Sequence, residues 1–502
     1  MNLNIIKSNS RKFLYKVYSL VLLGFIASIS SLAQTDSTTS ASSKKTRINI
    51  LGASIIERNP EISEASRLIG NVKLSVDDAI LTCDSAYRFD DGRFEVFSNV
   101  IIKQEPNTVL TAEYGILKPD LGIVDINGGV IFNHEALSIS CPSLIYILDS
   151  KHVSYSERAN IIDGNRNLSS DLGVYSSKTD RLYAGGNVVI TELQDTITSD
   201  SLSLDRNDKT LRLYKTSHLE INGAFIHCER GQFNASTGKG WFSGDASVMD
   251  NQGLLAGDSI IINRNNNEGV AWGNVMISDS TRSMNVSGSY ASRTENFDLV
   301  TGVSDNLVQI VNIEGADTLR MNTLKLERRE EMLFASGEVV FQQDAFSGNG
   351  DSLSWDRNKD QMWLLGNPVV WSKEDEMTGD TVRMNLKDNK PLSMQLIGNA
   401  NVLSPANDSL DHVISGRDLF ALFTNGKLTS VDVIGNGIVR YYSIDDLEDI
   451  NLNTATCSQI QMLFAEGKVS RITLLGLPDG QFTPLNSEEI EMRQVRRIKP
   501  QL

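Results

Sequence analysis

Residues 186–204 read GNVVITELQDTITSDSLSL. After Gly186-Asn187, Val188 and Ile190 are apolar at alternate positions and are followed by polar Thr191, the period of a strand with one buried face. After Asp200-Ser201 the alternation resumes at Leu202 and Leu204, but Ile197 stands three places before Asp200, so the inward phase has changed sides. A change of parity within a strand requires a bulge or a corner.

Both halves of this stretch recur along the chain. Gly70-Asn71-Val72, Gly273-Asn274-Val275 and Gly337-Glu338-Val339 repeat the first, with Gly366-Asn367-Pro368, Gly398-Asn399-Ala400 and Gly435-Asn436-Gly437 as variants. Ser98-Asn99-Val100 and Gly128-Gly129-Val130 are looser copies. The second half returns as Cys83-Asp84-Ser85, Gly257-Asp258-Ser259, Gly350-Asp351-Ser352 and Gly379-Asp380-Thr381. Its Asp slot falls at 84, 113, 142, 171, 200, 229 and 258, a constant step of 29 residues that 351 and 380 keep. Roughly 13 repeats follow, and such self-similarity marks a repeat architecture. Looser spacing around 301–322 and 400–457 reads as insertions in surface loops.

Turn residues separate the half-motifs, as in Asp90-Asp91-Gly92, Asn207-Asp208-Lys209 and Asn425-Gly426-Lys427. The apolar residue just before each Gly-Asn (Ile69, Phe97, Trp272, Leu365, Ile397, Ile434) has the parity opposite to those after it. Each repeat is therefore expected to be two bent strands, with Gly-Asn and Asp-Ser at the bends and an apolar interior between two sheets. Tyr87 and Phe89 depart from this pattern. The expected fold is all-β, an elongated repeat stack. A right-handed β-helix with 29-residue coils remains the alternative.

The interior-facing positions after Gly-Asn are the strongest candidates for a binding groove: Val72, Leu74, Val100, Ile102, Val130, Phe132, Val188, Ile190, Val275, Ile277, Val339 and Phe341. For any one of them the plainer reading is a core residue.

Lys7, Arg11, Lys12 and Lys16 precede an apolar run from Val17 to Ile29 and then Ser31-Leu32-Ala33. This is the order of an export signal over residues 1–33, with Gln34 as the mature start. The expected organisation continues with a polar linker over 34–46, the β-repeat region over 47–484, comprising two or more modules, and a basic tail over 485–502 carrying Arg493, Arg496, Arg497 and Lys499. Formal charge is −16, and removing a segment with four basic and no acidic residues leaves −20. That balance argues against nucleic-acid binding, which needs basic patches.

Cys83, Cys141, Cys228 and Cys457 all occupy the position before the Asp slot, where other copies carry Ala112, Ser170, Ser199 or Gly257. Copies two rungs apart would lie about 10 Å from each other or farther. A disulfide needs Cα atoms within about 7 Å, so free buried thiols are expected. The five histidines (His134, His152, His218, His227, His412) show no metal-ligand spacing and no nucleophile motif. The Asp slot also holds Glu113, Glu229, Pro142, Asn322 and Arg417, which suits backbone capping better than a catalytic or metal ladder. No catalytic residue, metal site or cofactor is expected, and the chain reads as not an enzyme. A β-helical carbohydrate-active enzyme would need carboxylates clustered away from the repeat, and none stands out.

The alternation of Gly-Asn-Val-x-apolar with small-Asp-Ser-apolar over roughly 47–480, after an export signal, resembles the OstA-like domain of LptA and of the N-terminal part of LptD. The resemblance implies a β-jellyroll, or β-taco, whose apolar groove carries lipopolysaccharide acyl chains across the periplasm toward the outer membrane. It implies lipopolysaccharide (lipid A) as ligand and other envelope transport components as partners through edge strands; peripheral outer-membrane association stays open. The chain is longer than a typical LptA and ends at Leu502 without the barrel that follows this domain in LptD. The alternative function is a β-helical surface adhesin or polysaccharide-binding rod.

Overall fold

Left-handed backbone recurs at most copies of the repeat. The computed structural model describes residues 48–485 apart from 60–63, 252, 280–282, 295–296, 304–306, 315–316, 344–345, 388–389, 408–409, 425–426, 445–449 and 466–467. The expected export signal, linker and basic tail lie outside the described residues. The described residues belong to one compact unit.

Gly186 (φ +71°) and Asn187 (φ +46°) are both left-handed, and so are both residues of Gly70-Asn71, Ser98-Asn99, Gly128-Gly129, Gly273-Asn274, Gly398-Asn399 and Gly435-Asn436. Glycine enters this region freely because it lacks a Cβ, and asparagine is among the few other residues that visit it routinely. Two such residues in succession are absorbed as a β-bulge. Where Arg181–Glu192 pairs with Asp195–Asp205, the ladder steps from Gly185↔Ser201 to Val188↔Ser199, leaving Gly186 and Asn187 opposite Asp200 alone. Ser66–Val76 meets Ala79–Arg88 in the same way, from Ile69↔Ser85 to Val72↔Cys83.

Strands Ser66–Val76, Ala79–Arg88, Phe94–Gln104, Thr108–Lys118, Ile123–His134 and Leu137–Ile147 each pair antiparallel with the next. Every ladder among the described residues is antiparallel, from Ile48↔Val76 to Asn451↔Pro484. Coils of a β-helix pair in parallel, so that alternative is set aside. The fold is an antiparallel meander bent in the middle of each strand, as the β-jellyroll expectation required.

Bending creates two arms. The first arm holds residues before each Gly-Asn and after each Asp slot; the second holds those from Gly-Asn to the next slot. Phe132 of the second arm lies 6.0 Å, ring centroid to ring centroid, from both Tyr146 and Tyr175 of the first. The arms thus face each other across one interior, and the buried side chains of both form a single apolar cluster running from Leu68 to Met462.

The expected parity is corrected at one place. Ile69, Phe97, Trp272, Leu365, Ile397 and Ile434 face outward, with Trp272, Leu365 and Ile434 39–46% exposed. The buried residues are one position upstream: Leu68, Val96, Ala271, Leu364, Leu396 and Val433. The bulge absorbs both Gly and Asn, an even number, so the bulged strand keeps its parity; only the slot strand shifts, with buried Cys83 and Ala86 three apart. Tyr87, the apparent exception, sits on the outer face, where its ring meets Phe97 at 5.7 Å and Phe97 meets Tyr114 at 5.1 Å.

Two further expectations change. The loose spacing of 400–457 is taken up within strands rather than in loops: Lys390–Pro405, Asp411–Thr424, Lys427–Ile444 and Ile450–Ala465 have 14 to 18 residues each. Asn322 is not in a slot; it pairs with Val340 on the second arm, and Leu324 takes the slot, its N–H donating to the Gly337 carbonyl. At Glu157-Arg158 and Lys215-Thr216, where Gly-Asn is missing, the strand splits in two, into His152–Tyr155 and Ala159–Asp163 or Thr210–Leu213 and Ser217–Ile221, as it also does at Gly366-Asn367-Pro368.

Candidate functional site

The bulges aim the groove candidates. Each Gly-Asn resets the strand so that the first and third residues after it point inward from the second arm. All twelve candidates lie there, between 0 and 5% exposed: Val72, Leu74, Val100, Ile102, Val130, Phe132, Val188, Ile190, Val275, Ile277, Val339 and Phe341. The structure brings them into one continuous stripe facing the first arm. The opposing residues Leu68, Val96, Ile126, Tyr146, Tyr175 and Leu182 are as deeply buried. Sequence reading missed most of these first-arm partners, although the apolar residue two before each Gly was the signal.

Side chains fill this interior. A void lined by Ile277, Met284, Val286, Val300, Leu326 and Leu333 measures about 20 Å³, room for roughly one water. Asp279, Arg293, Asp298 and Arg328 also border it, with Arg328 Nε donating to Asp298 at 2.7 Å.

At the bends the arms are joined by continuous main chain. Here Asn side chains clip onto the preceding slot: Asn99 to Asp84 at 2.7 Å, Asn187 to Asp171 at 2.7 Å, Asn274 to Asp258 at 3.0 Å and Asn399 to Asp380 at 3.0 Å. The Arg158 guanidinium and the Asn187 amide hold the Asp171 carboxyl below the usual carboxylate range. The slot is thus a structural clip along the spine.

On the opposite side, the mouth, the hairpin turns of the two arms are linked by side chains. Lys151 Nζ donates to the Glu105 carbonyl at 2.7 Å and lies 3.8 Å from Asp78. Arg206 reaches Asp163 across the mouth at 2.8 Å and also pairs with Asp180 beside it. Arg264 donates to the Ile221 carbonyl at 3.3 Å, and the Tyr146 hydroxyl donates to Gln104. Burial works against the charge on Arg206, but Asp163 and Asp180 outweigh it and hold the guanidinium protonated.

The four cysteines are free and buried, as expected. Burial pushes the Cys83 and Cys141 thiols up to about 11 and that of Cys228 to about 12. Among the described residues no group of three or more His, Cys, Asp or Glu is placed to hold a metal ion. Sequence spacing paired none of the histidines, yet the fold sets His218 directly against His227.

Residues 45–200 match the family model described as OstA-like protein. Residues 225–390 match that of the LptA/(LptD N-terminal domain) LPS transport protein. No curated relative matches. Among solved structures, that of LptH, the LptA homologous periplasmic component of the conserved lipopolysaccharide transport device from Pseudomonas aeruginosa, is 12% identical. That match covers 20% of this chain and 73% of LptH, with a TM-score of 0.19. Two successive matches of one type, on a folded-over antiparallel sheet whose bends carry the motifs, place the chain in the OstA/LptA-like lipopolysaccharide-transport family.

Proposed function

We propose that the chain is a non-catalytic periplasmic carrier that holds the acyl chains of lipopolysaccharide between its two arms and passes them toward the outer membrane. The observation that carries this reading is the apolar stripe shared by the arms, closed on one side by main chain and on the other, among the described residues, by side-chain bridges. Parting the arms breaks those bridges while leaving every ladder hydrogen bond intact. An acyl chain entering the gap replaces one set of apolar contacts with another, so the net free-energy change per unit area is small. The lipid A phosphates would then meet Lys151, Arg206 and Arg264 at the mouth, where arginine suits bidentate phosphate recognition. Edge strands at the ends would join other envelope components by strand addition.

Photo-crosslinking in cells tests the reading, with the crosslinker at Val188, Ile190, Val275 and Ile277 in turn and at Lys73 and Ser278 as outward controls. Lipopolysaccharide adducts are expected from the first four positions and few from the controls. A folded, exported protein with no adduct from any interior position would have a permanently closed core and no carrier role.

A further inference from the structure

His218 and His227 lie apart from the interior that lipid would use. They sit on strands Ser217–Ile221 and Ala224–Cys228, which form a hairpin through Asn222-Gly223, and they are direct partners in its ladder. Leu219, Ile221, Ile226 and Cys228 point into the core, so the two imidazoles stand on the outer face of the second arm. Their Nδ1 atoms are 3.2 Å apart and their ring centroids 4.7 Å, with the planes 35° from parallel.

We propose that His218 and His227 form a two-imidazole site for a divalent transition-metal ion of the Zn²⁺, Ni²⁺ or Cu²⁺ class. The distance fits. An ion about 2.0–2.1 Å from each nitrogen would see two donors 3.2 Å apart at an angle of roughly 100°, close to tetrahedral or cis-planar coordination. Imidazole nitrogen selects these ions over Ca²⁺ and Mg²⁺, which take oxygen ligands. The outward position leaves the remaining coordination sites to water. Glu220, two residues along the same face and therefore about 7 Å away, adds favourable charge.

The location gives the site a purpose. This hairpin begins at Lys215-Thr216, where the Gly-Asn pair is missing and the strand is split. It also falls at the junction of the two matched segments, with His218 in neither of them and His227 at the start of the second. An ion bridging the two strands would staple the meander at this interrupted rung and would stabilise the folded chain by mass action.

The test is calorimetric titration of Zn²⁺, and separately Ni²⁺, into the untagged full chain. One saturable site is expected, with a dissociation constant between about 1 µM and 0.1 mM for two ligands. His218→Gln and His227→Gln should each weaken it at least tenfold, and the metal-dependent rise in Tm should vanish with it. Both side chains lie outside the core, so the metal-free variants should keep the wild-type circular dichroism spectrum and Tm. Absence of saturable binding by the wild type, or binding that survives both substitutions, overturns the site.

Discussion

The strands between residues 66 and 147 and those between 411 and 465 follow the same bend rule, yet their interiors close to different degrees. In the first region the second-arm residues Val72, Leu74 and Val76 are at most 2% exposed. In the second, Ile414 is half-buried, Tyr441 is 39% exposed and no residue of 450–455 is fully buried. The first arm changes less: Leu419, Ala421, Val433, Ile460 and Met462 stay within 2%, with Leu428 and Phe464 half-buried. Side-chain volume accounts for the contrast. Phe132 fills the gap between the arms in one region, whereas Ala400, Gly416, Gly437 and Ala455 supply little bulk in the other. The first arm is the steadier floor, and the second is a cover whose fit varies more along the stack. A carrier built this way would admit lipid from the 411–485 end.

The largest expected effect separates the two covers. Phe132→Ala removes a ring packed on two tyrosines and should cost about 3–5 kcal/mol in denaturant unfolding, whereas Ile414→Ala should cost about 1–2. Equal losses would mean that the two interiors are packed alike. Next comes the mouth between residues 163 and 206, which follows the tighter region in the stack. Arg206→Met leaves Asp163 with Arg166 at 3.9 Å and Asp180 with the Tyr175 hydroxyl at 2.8 Å, and should destabilise by about 1–2 kcal/mol while raising lipid crosslinking at Ile190.

The bends should behave identically in both regions. Gly70 (φ +74°) and Gly435 (φ +82°) are left-handed, and an added Cβ would come within 2.9 Å of Ser54 or 3.1 Å of Arg417. Alanine at either should cost about 1–2 kcal/mol, and a tolerant Gly435 would show that the bend itself has loosened. Thiol alkylation of the native protein should be fastest at Cys457, on the looser cover, and slowest at Cys228, which is fully buried. Labelling of Cys228 first would reverse the ranking.

The smallest effect is electrostatic. Arg158 and Asn187 depress the Asp171 carboxyl, and Arg417 with the Gly398 N–H depresses that of Asp418. A depressed carboxyl contributes stability that is present above its unfolded value, near pH 4, and is lost as pH falls through the folded one. Arg158→Gln and Arg417→Gln should each flatten the acid limb of a stability–pH curve by a similar small amount. A flattening confined to one variant would show that the bends at Asp171 and Asp418 hold their carboxylates differently.

The bends were legible in sequence because Gly-Asn and the Asp slot are chemical requirements of a two-against-one bulge. Their 29-residue step therefore marked most places where the sheet turns, though not the bends at Glu157-Arg158 and Lys215-Thr216. The second-arm candidates followed, since Val188 and Ile190 sit at fixed positions after the bulge. The first arm was misread because parity across a bulge depends on how many residues it absorbs, and Trp272 is as apolar as the buried Ala271 beside it. The extra residues of 400–457 looked like loops because a longer strand and an inserted turn change the spacing identically. The meeting of His218 with His227 follows from the register of the two-residue turn Asn222-Gly223, a hairpin signal that the repeat-based reading left unused.

The strictly sequential pairing of the meander also bears on how the chain folds. Each rung touches rungs close to it in sequence, so contact order is set by the repeat and not by chain length. A nucleus can form at any hairpin and spread in both directions as in a one-dimensional array. A chain emerging on the far side of a membrane could therefore condense hairpin by hairpin, with its later rungs still unfolded, and further repeats would lengthen it without slowing the process.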